Sequence, residues 1–256
     1  MKLQMMTRLV RTELAKLRLP VTLTITLLTV GTIILTGVLY TDYSLAYDLE
    51  AWEVGTALVS FLFPVFVVVP ICWTAYFERR NGFLAYVIPR VPPRRYLAAK
   101  WIAAALSALG IMVIPYLASA LFALYVKPAI TPFERASFDH IFLTAFTQTP
   151  LAYACLLSLW RGVIAVLVMS LGFVFSLYVR NIFVILTGPF IYAILENFVF
   201  AILGVPQYRL VTSFDPTVVV VDSLWSLAVG PGLLCAVIAV TWLAFAVIKR
   251  EPVFKV

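Results

Sequence analysis

Long apolar stretches separated by short polar ones dominate the chain, covering approximately residues 20–40, 54–77, 97–126, 162–179, 182–203 and 229–248. Each approaches or exceeds the roughly 18–20 residues that cross a hydrocarbon core at about 1.5 Å per residue. The pattern predicts an all-α membrane protein: one transmembrane domain over residues 1–256, built on six transmembrane helices. Prolines fall inside several of these runs: Pro64 and Pro70 in the second, Pro115 in the long third. Kinks are expected there, with the freed carbonyls finding partners inside the bundle.

Residues 1–18 follow a different pattern. Leu3, Met6, Val10, Leu14 and Leu17 step by three or four and share one stripe, while Arg8, Arg11, Thr12 and Lys16 point elsewhere. This spacing predicts a basic amphipathic helix lying on the membrane surface, with Pro20 permitting a turn into the bilayer. Two further segments are ambiguous. Residues 138–160, FDHIFLTAFTQTPLAYACLLSLW, read either as a seventh span or as an outer helix leading into the fourth. Residues 204–228, GVPQYRLVTSFDPTVVVVDSLWSLA, carry a valine run with strand propensity. Lying between two spans, they read equally as an outer loop or as a short helix re-entering the outer leaflet.

Composition agrees with lipid as the solvent. Of 256 residues, 63% are hydrophobic and 12% are charged, against about 45–50% and about 25% in a soluble domain. The net charge of +7 does not point to nucleic acid, because its distribution obeys the positive-inside bias. The N-terminal segment carries five cations and one anion, and the 77–101 insert carries six cations against Glu78. Arg180 sits at the next inner turn, and Lys249, Arg250 and Lys255 lie in the tail. The first outer loop holds Asp42, Asp48, Glu50 and Glu53 with no cation. Six spans with both ends cytoplasmic satisfy this count. A seventh span would move Arg180 and the basic tail outside.

Little in the chain suggests its own covalent chemistry. Cys72, Cys155 and Cys235 sit apart in apolar runs and read as small hydrophobes. The lone His140 makes no metal-ligand cluster, so no metal is expected. No cleavable signal peptide is expected at the basic start. HExxH, GxSxG and GxxxxGK[ST] patterns are all absent.

The most distinctive stretch is FERRNGFLAYVIPRVPPRRYLAAKW, Phe77–Trp101, which joins the second and third spans. Its first part predicts a short helix with Phe83, Leu84, Val87 and Ile88 on one side, broken by Pro89 and the Pro92-Pro93 pair. The cations are explained by lipid phosphate. Phe83, Leu84 and Tyr86 at the cytoplasmic tip are better explained by a partner groove.

The order Glu78, Gly82, Pro89-Arg90, Tyr96-Leu97 and Lys100 after the second span resembles the membrane subunit of exporter-type ABC transporters, the second permease class. The plan of basic interfacial helix, six spans and an extended outer segment between spans five and six resembles it too. The resemblance implies that loop 78–96 holds a coupling element seated in a cleft of a separate ATPase. That element comprises Glu78, Arg79, Arg80, Asn81, Gly82, Phe83, Leu84, Tyr86, Val87 and Ile88. It implies no cofactor bound by this chain, with ATP and Mg on the partner ATPase, present as two copies. It further implies a second permease chain, identical or homologous, and a setting in a bacterial plasma membrane. The end of the fifth span and the outer segment after it would form the gate.

Candidate pathway residues are Thr22, Thr26, Thr29 and Thr36, which share one face of the first span, together with Glu196 and Asn197 in the fifth. The threonine stripe either lines a passage or packs against a neighbouring helix. A carboxylate inside a span marks function by default; Glu196 is equally placed to sit near the outer headgroups. Arg161 and Arg209 are candidate partners for Glu196 or for an acidic headgroup, or else bind lipid phosphate. The expected activity is export of a hydrophobic or amphipathic cargo such as a drug, an antimicrobial peptide or a lipid-like molecule. The alternatives are a non-transporting membrane immunity or scaffold protein and, less supported, a membrane-embedded enzyme.

Overall fold

The computed structural model describes residues 2–87, 89, 91–131, 133, 142–216 and 224–249. Its helices, in chain order, are α1 (Lys2–Leu39), α2 (Glu50–Arg80), the short α3 (Phe83–Val87), α4 (Pro93–Tyr125), the short α5 (Leu143–Gln148), α6 (Pro150–Tyr178), α7 (Ile182–Ile202), the short α8 (Leu210–Phe214) and α9 (Leu224–Lys249). No strand occurs among the described residues. Six of these helices (α1, α2, α4, α6, α7 and α9) are long and apolar enough to cross a membrane, as an all-α membrane protein requires.

Three boundaries differ from the sequence expectation. The basic amphipathic segment and the first span form one unbroken 38-residue helix with Pro20 inside it. Thr24 Oγ1 donates to the Pro20 carbonyl at 2.8 Å, adding a side-chain bond just past the proline. The fourth span begins at Pro150 rather than near 162, so the last eleven residues of the ambiguous 138–160 stretch form its first three turns. The stretch is therefore not a seventh span. In the outer segment, Pro206–Tyr208 forms a 3-10 turn and Leu210–Phe214 a short helix, and α9 begins at Leu224. The valines at 218–221 lie outside the described residues.

Helices α2, α4 and α6 make the centre of the bundle. α1 packs along α4 and α2, α7 along α2 and α6, and α9 against α8 and α6. The central core is built from Phe63, Val67 and Val68 of α2, Ala108, Ile111 and Met112 of α4, and Ile164, Val168 and Met169 of α6, all nearly inaccessible. Cys72 is part of this core, as expected of a small hydrophobe. α2 has 31 residues, roughly 46 Å at about 1.5 Å each, and so outreaches a hydrocarbon core of about 30 Å at one or both ends.

One close helix contact needs a glycine. A Cβ on Gly55 of α2 would lie 2.2 Å from Thr36 Oγ1 and 2.5 Å from Thr36 Cα. Only a bare backbone lets α1 and α2 approach this closely, as small residues do at helix interfaces in membranes. Gly82 serves differently. It takes a left-handed φ of +67° just after α2, the conformation that commonly ends a helix, and turns the chain into α3.

Candidate functional site

At one end of the bundle α1, α2 and α4 converge on an ionic knot. Glu78, in the last turn of α2, receives Lys16 of α1 on Oε1 at 2.8 Å. Its Oε2 receives the Tyr96 hydroxyl at 2.8 Å and the Lys100 ammonium, both from α4. Lys16 also pairs with Glu13 at 2.6 Å, and Lys100 lies 4.0 Å from the same carboxylate. Two carboxylates and two ammoniums therefore balance, and all but Lys16 are largely shielded from solvent. A balanced cluster avoids the cost of an isolated buried charge.

α3 projects just beyond this knot. Arg80, Asn81 and Gly82 are exposed in the turn leading to it. Tyr86 is 74% exposed and Phe83 38%, one face of Phe83 being covered by Lys16 Nζ at 4.8 Å from the ring centroid. Val87 is half-buried. Ile88 and the side chain of Leu84 lie outside the described residues. Arg79 turns inward, its guanidinium donating to the Val179 carbonyl at the end of α6. The expected coupling residues thus divide. Glu78 and Arg79 lock helix ends together, whereas Phe83 and Tyr86 face outward on a separate short helix.

The threonine stripe divides as well. Thr22 and Thr26 are exposed, sharing a shallow groove along α1 with Leu19, Leu23 and Val30. Thr22 Oγ1 donates to the Arg18 carbonyl at 2.7 Å. Thr29 is half-buried, and Thr36 is fully buried at the Gly55 contact. The four therefore do not share one environment. The Thr36 end is a helix–helix seam.

At the opposite end, Glu196 is buried and both its oxygens accept the Leu210 amide at 3.0 Å. This bond caps the start of α8 and fastens the outer segment to α7, with Asn197 half-buried beside it. Arg209 lies close enough to attract the carboxylate. Arg161, the other candidate partner of Glu196, pairs elsewhere. Its Nη2 sits 3.2 Å from Asp215 Oδ1, and its Nε donates to the Phe214 carbonyl at 3.0 Å. The guanidinium is walled by aromatic rings, 4.4 Å from the Tyr116 centroid, 4.9 Å from Trp52 and 5.7 Å from Phe214. Phe63 stacks on Phe214 at 3.9 Å, and Ser60 bonds the Tyr116 hydroxyl at 2.9 Å.

This arginine box was not anticipated from the sequence. Its local mark in the sequence is an ionisable residue with apolar sequence on both sides, LLSLWRGVIAVLV, as at Glu196. Asp215 gave no local sign, because its partner comes from a distant helix. Glu13, Lys16, Tyr96 and Lys100 were visible as charges or aromatics near the membrane surface, but their convergence depends on how the helices pack. Among the described residues no group of three or more metal-ligating side chains occurs. No protein-family model, curated protein or solved structure matches the chain.

Proposed function

We propose that the chain is the membrane subunit of an ATP-driven exporter of the second permease class, moving a hydrophobic or amphipathic cargo out across a bacterial plasma membrane. The observation that carries this reading is the knot beneath α3. Glu78, Tyr96 and Lys100, three of the residues on which the family resemblance rests, are direct hydrogen-bond partners in space. α3 then stands on a glycine turn at one side and a Pro92-Pro93 turn at the other, with an exposed aromatic pair at its tip.

In this reading α3 is the contact for a separate ATPase, two copies of which serve a pair of permease chains. Both termini are cytoplasmic. A push on α3 passes through Gly82 into α2 and, through Glu78, into α1 and α4 together. Charge-assisted hydrogen bonds suit such a linkage because they are short, directional and about twice as strong as neutral ones. The aromatic tip supplies apolar contact area of the kind that anchors protein interfaces. ATP and Mg belong to the partner, and this chain contributes mechanical response and a route for cargo.

The test is affinity purification of the tagged chain from native membranes, with the bound proteins identified by mass spectrometry. An ABC ATPase should accompany the wild type and be lost from Phe83→Asp and Tyr86→Asp, while both variants insert and fold. An ATPase retained by both variants would remove α3 from the contact. No ATPase in the wild-type preparation would favour a non-transporting scaffold instead.

A further inference from the structure

We propose that Lys16 of α1 is a releasable pin that holds α3 against the bundle through the Phe83 ring, so that α1 sets how freely the exposed tip moves. α3 has five residues, too few for a helix to be stable without outside contacts. Among the described residues it packs against one helix, α2, from which the left-handed Gly82 turn separates it. Its tie to α1 is made by a side chain: Lys16 Nζ lies 4.8 Å from the centroid of the Phe83 ring. A cation in that position is attracted by the negative face of the ring. Phe83 is accordingly 38% exposed, whereas Tyr86, three residues on, is 74% exposed.

Lys16 suits this role because its ammonium is already fixed in place. Nζ lies 2.6 Å from Glu13 Oε1 and 2.8 Å from Glu78 Oε1. A free surface lysine loses rotamer freedom when it settles on a ring. Here the two carboxylates have already taken that freedom, and the ring meets a charge that stands still. The Lys16 side chain is nevertheless 32% exposed, so water competes for the cation. The attraction then lies at the weak end of its range, a bias of about two- to fivefold toward the held state. A bias of that size orders α3 at rest and yields to a partner that offers Phe83 a closer apolar pocket. Glu13 and Lys16 belong to α1, whereas Glu78 ends α2. Sliding of one helix along the other therefore moves the cation relative to the ring and frees α3.

The pin needs no ATPase, so it stands or falls separately from the exporter reading. A nitroxide is attached at Tyr86→Cys in the full chain with Cys72, Cys155 and Cys235 replaced, and the protein is reconstituted in lipid nanodiscs. The ratio of mobile to immobile label is read from the continuous-wave EPR spectrum. Phe83→Leu removes the ring but leaves Lys16 with Glu13 and Glu78, which separates the pin from the knot. It should raise the ratio about two- to fivefold. Lys16→Met should raise it at least as much, and Lys16→Arg, which keeps a cation, should hold it near the starting value. In the double variant Lys16→Met, Phe83→Leu the ratio should match that of Lys16→Met alone, because the two side chains act through one contact. An unchanged ratio in Phe83→Leu overturns the pin, even where Lys16→Met frees the label, since that pattern assigns the effect to the knot. Effects that multiply in the double variant overturn it too, because each residue would then hold α3 by itself.

Discussion

Arg161 Nη2 lies 3.2 Å from Asp215 Oδ1, with both side chains sealed inside the bundle. The pair joins the middle of α6 to the segment immediately after α8, and the rings of Trp52, Tyr116 and Phe214 close around the cation. Removing one member takes a close counter-charge from a buried ion, at a cost of about 3–5 kcal/mol. Arg161→Ala and Asp215→Asn should therefore each lower thermal stability in detergent substantially. The double variant Arg161→Met, Asp215→Leu should recover most of the loss, because apolar replacement of both partners is often nearly neutral. Equal melting of Asp215→Asn and wild type would show that the aromatic rings and the Phe214 carbonyl satisfy the guanidinium without the carboxylate.

The knot at the other end makes a parallel prediction with a different readout. Glu78→Ala deprives Lys16, Lys100 and Tyr96 of a shared acceptor and should cost about 3 kcal/mol. It should also raise amide exchange in the last turn of α2 and the first two turns of α4, since both ends lose their tie. Glu78→Gln keeps an oxygen for Tyr96 but loses the charge, so it should fall between the two. Exchange unchanged in Glu78→Ala would mean that the helix ends are held by apolar packing alone.

Gly55 offers the sharpest steric prediction. A methyl group there meets the Thr36 backbone at 2.5 Å, so Gly55→Ala must push α1 away from α2. Overpacking of this kind costs about 1–3 kcal/mol. Gly232 of α9 has nothing within 4 Å of its ideal Cβ, so Gly232→Ala should be neutral or slightly stabilising through helix propensity. The comparison of melting temperatures separates a packing requirement from any general effect of removing a helical glycine.

Glu196 caps α8 rather than standing free in a span. Glu196→Gln retains an oxygen for the Leu210 amide and should change stability by less than about 1 kcal/mol, whereas Glu196→Leu removes the acceptor and should cost about 2 kcal/mol. The local check is hydrogen exchange at the Leu210 amide, faster in the leucine variant and near wild type in the glutamine one. Equal exchange in all three proteins would show that the bond does not protect the segment.

The six spans were legible because apolar run length is a property of the chain alone. What escaped was whatever depends on a partner far away in sequence. Arg161 looks like the edge of a span, which is why α6 is expected near residue 162 and starts at Pro150. Its charge is met inside by Asp215, the Phe214 carbonyl and three aromatic rings. Pro20 looks like a break, yet the helix continues through it. The threonine stripe of α1 is visible as a stripe, but only packing separates Thr36, pressed on Gly55, from Thr22 and Thr26 on the open face. The short α3 could be read from its flanking glycine and prolines. The carboxylate holding its base to α1 and α4 could not.

The exporter account depends on α3 facing the cytoplasm, where an ATPase can reach it. The direct measurement replaces Cys72, Cys155 and Cys235 with serine or alanine, introduces Tyr86→Cys at the exposed tip, and applies a membrane-impermeant maleimide to intact cells and to inside-out vesicles. The account predicts labelling in the vesicles and none in the cells. Labelling from the outside of intact cells would put α3 on the wrong face of the membrane and contradict it.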